Sequence, residues 1–424
     1  MKRLLKAALA ATALATSVAG MARAAEEVVW WDFLSGGDGV RMKALISDFN
    51  TEHPDIKITG TTLEWGVPFY TKVRTSAAVG QGPDVMTYHL SRLPIALDEG
   101  VLSPITPEDL ANGGLATTDF FPASIEAASS DGQLYAVPFD IHAVVLYYNK
   151  TLLEGTPYLD ADGKLTGITN LDEFNAALKA MKDKGVEAPV SFATGDDGAN
   201  WRVFYTLFKQ QGGTFIENGE VLPGDNAAKA AKAIQIMTDW RTEGYSPEQA
   251  EYPASVALFS AGNAAFMWNG VWEVPTMKDL QAKGSLGDWG AVEIPQLLDQ
   301  PATWADSHAF AIPTGREMTP EKRKAVMEVI GWMEKHAIRW ADAGHIPAYM
   351  PVATSAEYKA MEPNATYASL AEHAAYDPRS EIAGVASPVY DAAINIIAPA
   401  THGFMSPDDA VQQIKDALQP LLSN

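Results

Sequence analysis

The sequence predicts an α/β protein of two lobes, and three observations carry that expectation. Strand, helix and strand follow one another within about 35 residues near the start of the mature chain, the spacing of a βαβ unit, so a largely parallel sheet is expected. A mature chain of about 400 residues is more than one hydrophobic core organises. Sheet-forming segments cluster before residue 140 and again from about 286 to 313, with a mostly helical block between. That is the pattern of a chain that leaves one lobe, builds another and returns.

The elements follow from local pattern. Val28-Val29-Trp30-Trp31 is apolar and β-prone, a first strand. Ser35-Gly36-Gly37-Asp38-Gly39 reads as a loop. Residues 40–52 have helical spacing, with Val40, Ala44, Leu45 and Phe49 on one face. His53-Pro54-Asp55 stops that helix, and Ile56-Lys57-Ile58-Thr59 alternates as the next strand. A helix over 69–78, broken by Gly82-Pro83, leads to a strand over 84–88; further strands are expected over 134–138 and 144–149. Helices are expected over 171–184, capped by Asn170 or Thr169, over 227–243, ended by Gly244, and over 320–336. The last helix, 408–422, is amphipathic, with Val411, Ile414, Leu418 and Leu421 inward. Tyr158–Gly167 reads as a polar hairpin tip.

Composition narrows the setting. Residues 1–24 have a short basic start, an Ala/Leu-rich run and an Ala22-Arg23-Ala24 ending, the signature of a cleaved secretory signal peptide whose apolar run is too short to span a bilayer. The chain has no cysteine, which excludes disulfides, thiolate metal sites, thiol catalysis and a lipidated cysteine anchor. A free periplasmic protein without a membrane anchor is expected. Without the signal peptide 27 basic residues face 53 acidic ones, a net charge of −26, which argues against a nucleic-acid or anionic-membrane partner.

Catalytic motifs are absent from the sequence. It holds no Gly-x-Ser-x-Gly elbow, no His-Glu-x-x-His and no phosphate-binding Gly-x-x-x-x-Gly-Lys, and Gly36, Gly37 and Gly39 lack the third glycine of a dinucleotide turn. Asp160-Ala161-Asp162-Gly163 has the look of a calcium loop, but its first and twelfth ligand positions would be Tyr158 and Thr169. The eight histidines show no metal-ligand spacing. No metal and no cofactor is expected. With 53 acidic residues a hydrolytic carboxylate pair is possible in principle, but none is singled out.

Five segments stand in order along the chain: VVWWDFLSGGDGVRMKALISDFNTEHPDIKI (28–58), GPDVMTYHLSRL (82–93) followed by GVLSPITP, DGQLYAVPFDIHAVVLYYNK (131–150), GNAAFMWNGVWEVP (262–275) and AFAIPTG (309–315). Together they resemble the extracellular solute-binding proteins of ABC importers, in the sugar-binding branch that includes maltose-binding protein. The resemblance implies a two-lobed periplasmic binding protein fold, type II-like, with a hinge and a ligand cleft between lobes formed by 25–139 with about 286–340 and by 140–285 with about 341–424. It implies a monomer that closes around a di- or oligosaccharide, or a sugar derivative, and presents it to the permease subunits of the importer.

The resemblance also nominates residues. The loop after the first strand points to Phe33, Ser35 and Asp38, and TTLEWG puts Glu64 or Trp65 at the cleft edge. The segment after the next strand offers Tyr88, His89 and Arg92, with Ser91 where maltose-binding protein has an aspartate. The family's ligand-binding carboxylate position falls on His142, so the site is rebuilt for a different ligand. Trp272, after Asn269-Gly270, matches a tryptophan that packs on a sugar ring, with Trp268 as packing beside it; the bland reading puts both in the core. From the residues themselves, Asp140 and His142 share one face of an extended segment, and Asn200 and Trp201 open a helix able to form a second wall. Trp304, Asp306 and His308 precede the 309–313 strand, and Tyr349 and Arg379 are candidates from the C-terminal part. The leading expectation is a sugar-binding protein that is not an enzyme; the competitor is a secreted glycosidase or lyase with an aromatic-lined cleft.

Overall fold

The computed structural model describes residues 25–423; the expected signal peptide lies outside them. Among the described residues no helix is long and apolar enough to cross a membrane. The strand Glu26–Asp32 buries Val28 and Trp30 and pairs in parallel with Ile56–Thr62, Val28 opposite Ile58, and with Val85–His89. Between the first two strands the helix Gly36–Glu52 packs back on the sheet, as the βαβ spacing requires. It starts four residues earlier than expected, so the glycine-rich stretch is its first turn. Its buried face is Gly39, Met42, Leu45 and Phe49, while Val40 and Ala44 face solvent. The helices Val67–Ala77, Leu171–Asp183, Asn226–Thr242 and Pro320–Lys335 lie within two residues of expectation. Asn170 caps its helix by accepting from the Glu173 amide. The helix Pro407–Leu418 buries Val411, Ile414 and Leu418, but Leu421 lies beyond it and is exposed.

Two large sheets, beside two small hairpins, divide the described residues. The first has the order Ile56–Thr62, Glu26–Asp32, Val85–His89, His308–Ala311, Ala136–Pro138. The second is built on Asp140–Asn149, every residue of which is buried. Phe266–Gly270, Trp289–Glu293, Thr303–Asp306 and Ile346–Pro347 all pair with it, all antiparallel. The expectation of parallel sheets therefore holds for the N-terminal strands and fails for the second sheet, whose long central strand is flanked by chains running the other way. The expected return to the first lobe at about 286 is also corrected: Trp289–Glu293 and Thr303–Asp306 stay in the second sheet, and only His308–Ala311 joins the first.

The chain passes between the sheets at single residues. Phe139 separates Ala136–Pro138 from Asp140–Asn149, and Ser307 separates Thr303–Asp306 from His308–Ala311. A third passage follows the helix Ala337–Ala341 to Ile346–Pro347, where Ile346 faces Ile141 and Pro347 faces Asp140.

One close helix contact carries a prediction. Gly331, inside Pro320–Lys335, lies against Gly113, and a Cβ there would sit 1.9 Å from the Gly113 carbonyl oxygen. Helix propensity alone favours alanine by ~1 kcal/mol. The obstacle is backbone, which yields poorly, and overpacking costs ~1–3 kcal/mol. Gly331→Ala is expected to lower stability by about 1 kcal/mol net in urea unfolding; a gain would show that the Gly113 segment moves aside freely.

Candidate functional site: a cavity between the two sheets

A cavity of about 400 Å³ opens between the sheets. Phe33, Ser35 and Asp38 line it from the end of the first strand and the first turn of the following helix, whose N–H groups lack intrahelical partners. Trp65 stands at the rim, 43% exposed. His89 and His308 reach it from the first sheet, and His142, Arg202, Tyr252, Trp272 and Glu273 from the second lobe. Asp196, which caps the helix Asp197–Lys209, and Thr276 complete that wall.

Trp272 sits on the single turn Val271–Glu273 between the strand Phe266–Gly270 and the helix Val274–Ala282. Its indole N–H donates to Tyr252 Oη at 2.7 Å, and that hydroxyl donates to Glu273 Oε1 at 2.6 Å. The ring lies over Gly270, where a Cβ would come within 2.2 Å of three ring carbons. The Arg202 guanidinium lies 4.9 Å from the Trp272 ring and 4.6 Å from that of Trp304, and the two rings are nearly perpendicular. A cation against indole faces is electrostatically favoured.

Three imidazoles form the floor. The His142 and His308 ring centroids are 4.2 Å apart, and His89 lies 5.6 and 5.0 Å from them, stacked on Phe33. Each has a fixed Nδ1 partner: Tyr70 Oη for His89, at 2.6 Å, and the Asp140 carboxylate for His142 and His308, at 3.0 and 2.8 Å. Burial, then the neighbouring histidines, push His89 well below the ordinary imidazole range and His142 down to about 3. Burial also opposes charge on His308, but the Asp140 carboxylate outweighs it and raises that group. Two neutral rings and one favoured as imidazolium thus face the cavity. Behind them Asp140 is held well below the carboxylate range: burial opposes its charge, and His308, His345 and His142 overcome the opposition.

Of the residues nominated from sequence, Phe33, Ser35, Asp38, Trp65, His89, His142, Trp272 and His308 line the cavity. The others are placed elsewhere. Glu64 points to solvent. Tyr88 faces the opposite side of its strand from His89 and packs in the core against Tyr70, because neighbouring strand residues alternate. Arg92 lies 4.1 Å over the Tyr70 ring and donates to the carbonyls of Val385 and Ala386. Asn200 is tied inside its helix turn to the carbonyls of Thr194 and Asp196. Trp201 is fully buried; the next residue, Arg202, is the one that reaches the cavity. Trp268 packs against Trp240, as the packing reading expects. Asp306 accepts from Ser91 and the Ser307 amide, Tyr349 packs on Phe120, and exposed Arg379 donates to the carbonyls of Glu126 and Ser129. Asp140 and Gly270 lie directly behind lining residues, supporting the histidines and Trp272.

Trp304 is fully buried and does not line the cavity; it is held by a carboxylate that sequence reasoning missed. Asp377 Oδ1 accepts from Trp201 Nε1 at 2.7 Å and Trp304 Nε1 at 2.8 Å, and Oδ2 from Tyr390 Oη at 3.2 Å. Burial pushes its carboxyl up to about 6 against the pull of these donors. An acid raised above its unfolded value contributes stability that is complete below about pH 4 and is lost as pH rises through about 6. The melting temperature of the native chain, relative to Asp377→Asn, is expected to fall between those values. Parallel profiles for the two proteins would contradict it.

The comparisons agree with this architecture. Residues 35–337 match the family model described as bacterial extracellular solute-binding protein. The chain belongs to that family. Relatives of this solute-binding protein include a maltooligosaccharide ABC transporter solute-binding lipoprotein of Streptococcus pneumoniae, 25% identical over 80% of this chain and 77% of the relative. A mannitol-binding protein of Pseudomonas aeruginosa is 26% identical over 73% and 69%, and a lactose-binding protein of Rhizobium radiobacter 26% over 77% and 74%. Among solved structures, the GacH receptor of Streptomyces glaucescens superposes with a TM-score of 0.77 at 19% identity, covering 94% of this chain and 99% of that one. The cyclic alpha-maltosyl-1,6-maltose binding protein of Arthrobacter globiformis gives 0.74 at 23%, covering 94% and 100%. The solute-binding protein thus has the two-lobed fold of the maltose-binding-protein type.

Proposed function

We propose that this solute-binding protein captures a sugar or sugar derivative in the periplasm and delivers it to the permease of an ABC importer, acting as an unanchored monomer and not as an enzyme. The observation that carries the ligand class is the Trp272 platform, an indole face beside Arg202, His142 and Glu273. A sugar ring has an apolar C–H face and a rim of hydroxyls; indole meets the face, while neutral imidazole, guanidinium and carboxyl groups meet the rim. The relatives, which include a mannitol-binding protein and a lactose-binding protein, support the same class. Lobes divided at Phe139, Ser307 and about residue 341 would close on the ligand, and the ligand shifts that equilibrium only by its preference for the closed form. A cavity of about 400 Å³ is at the small end for ligand sites, which favours one or two rings.

The test is a thermal-shift screen of the mature protein against mono- and disaccharides, polyols and their acidic derivatives, with the hit recovered after long incubation. A ligand at a hundred times its dissociation constant adds about 2.7 kcal/mol. One class of sugar or polyol is expected to raise the melting temperature and to return chemically unchanged. Turnover products would replace transport by carbohydrate-active chemistry.

A further inference from the structure

The three passages between the sheets meet at one carboxylate. Asp140 opens the first, and His142 follows it; His308 closes the second; His345 and Trp340 belong to the third. Asp140, His142, His308 and His345 are all buried, and one ligand atom from each lies within 4.8 Å of the others. His142 Nδ1 is 3.0 Å from Asp140 Oδ1, and His308 Nδ1 and His345 Nδ1 are 2.8 and 3.2 Å from Oδ2. The Trp340 indole N–H and the His308 amide also donate to this carboxylate, at 2.6 and 2.9 Å.

Five nitrogens therefore crowd a group with about four lone-pair sites. The one left over is His345 Nδ1, which is fully buried and makes no hydrogen bond. The other nitrogen of that ring, Nε2, lies 3.0 Å from Asp38 Oδ1. If the ring gives Nε2–H to Asp38, its Nδ1 lone pair faces a carboxylate oxygen at 3.2 Å. Two such facing lone pairs in the interior call for a cation between them, a proton or a metal ion.

We propose that Asp140, with Nδ1 of His142, His308 and His345, forms a binding site for a divalent transition ion of the zinc class, which on binding displaces to solvent the Nδ1 protons that His142 and His308 otherwise give to Asp140. Three imidazoles and one carboxylate suit zinc, and without thiolate the set favours the harder divalent ions over copper(I). Metal–nitrogen bonds of about 2.0–2.1 Å in a tetrahedron put ligand atoms about 3.3 Å apart, close to the 2.8 and 3.2 Å from Asp140 Oδ2 to His308 and His345; His142 Nδ1 lies 3.0 Å from the other oxygen, and small shifts within the 4.8 Å cluster would bring all four to one ion. The surroundings match an outer shell as well. A metal-bound histidine typically gives its other N–H to a carboxylate, as His345 does to Asp38, and Trp340 stacks flat on the His345 ring at 4.6 Å. The spacing along the chain hid the set because its members come from three separate passages. Filled, the site would tie all three together beneath the cavity.

The test is metal content. The mature protein is stripped with a chelator, dialysed against zinc, desalted and assayed by elemental mass spectrometry; cobalt(II) is titrated in parallel. Stoichiometric zinc, a higher melting temperature with zinc than with chelator, and the visible absorption of four-coordinate cobalt are expected. His345→Gln is expected to retain at least tenfold less zinc. A native protein that keeps no zinc and gives no cobalt spectrum overturns the site. Undiminished zinc in a folded His345→Gln protein overturns it too, by placing the ion elsewhere. If that variant does not fold, the cobalt titration of the native chain decides alone. The metal readout does not depend on the sugar screen, so either proposal can fail while the other stands.

Discussion

Asp140→Ala is expected to destabilise the protein by roughly 3–5 kcal/mol, the range for removing one partner of a buried charged network. The side chain is fully buried, so its loss admits no water to replace it. The ring N–H groups of His142 and His308, the His308 amide and the Trp340 indole lose their acceptor together. Each buried donor left unpaired costs about 1–3 kcal/mol, moderated by relaxation into the small cavity created. Asp140→Asn is expected to cost less but not to be neutral, because its amide brings donors where donors already converge. Urea unfolding measures both: the midpoint should fall in the order native, asparagine, alanine, with little change in slope. A loss under about 1 kcal/mol for alanine would mean that the passages between the sheets do not depend on this carboxylate.

The local parts of the fold were legible because they rest on local patterns. The Val28–Trp31 strand, the Asn170 cap and the 171–183 and 320–335 helices each need only a few neighbouring residues to specify them. Errors came where one residue of register changes the outcome. Reading Gly36–Gly39 as a loop moved the start of the first helix and selected Val40 and Ala44 in place of Met42. Counting Tyr88 at the cavity along with His89, and choosing Trp201 over Arg202, are one-residue slips, on a strand and on a helix. In both cases the more polar residue of the pair is the one at the cavity, and an arginine set between Trp201 and Val203-Phe204 was a signal available in the sequence. The Asp140 cluster was beyond reach. Its bonds join residues 168 and 200 positions apart, and no periodicity in a single chain encodes such distances. Asp377, which holds two tryptophans from a segment without regular structure, was hidden for the same reason.

Trp272→Ala is expected to weaken ligand binding by roughly 30-fold or more, about 2 kcal/mol, as for a central aromatic anchor. The stability cost should be far smaller, since the ring is partly open to the cavity and its one hydrogen bond is to Tyr252. Loss of packing alone predicts the reverse proportion, so affinity and melting temperature must be measured on the same protein with the ligand found by the screen. Gly270→Ala gives an independent route to the same result. A Cβ there would overlap the Trp272 ring, with three ring carbons 2.1–2.2 Å away. The obstacle is the end of a side chain, so the indole can swing aside while the strand keeps its pairing with Val144 and its carbonyl keeps the Tyr147 hydroxyl. The tryptophan would then be present but misplaced. If Gly270→Ala binds like the native chain while Trp272→Ala does not, the ring works from another orientation. If both bind normally, Trp272 is core packing, and the sugar face must be sought at Phe33 or Trp65.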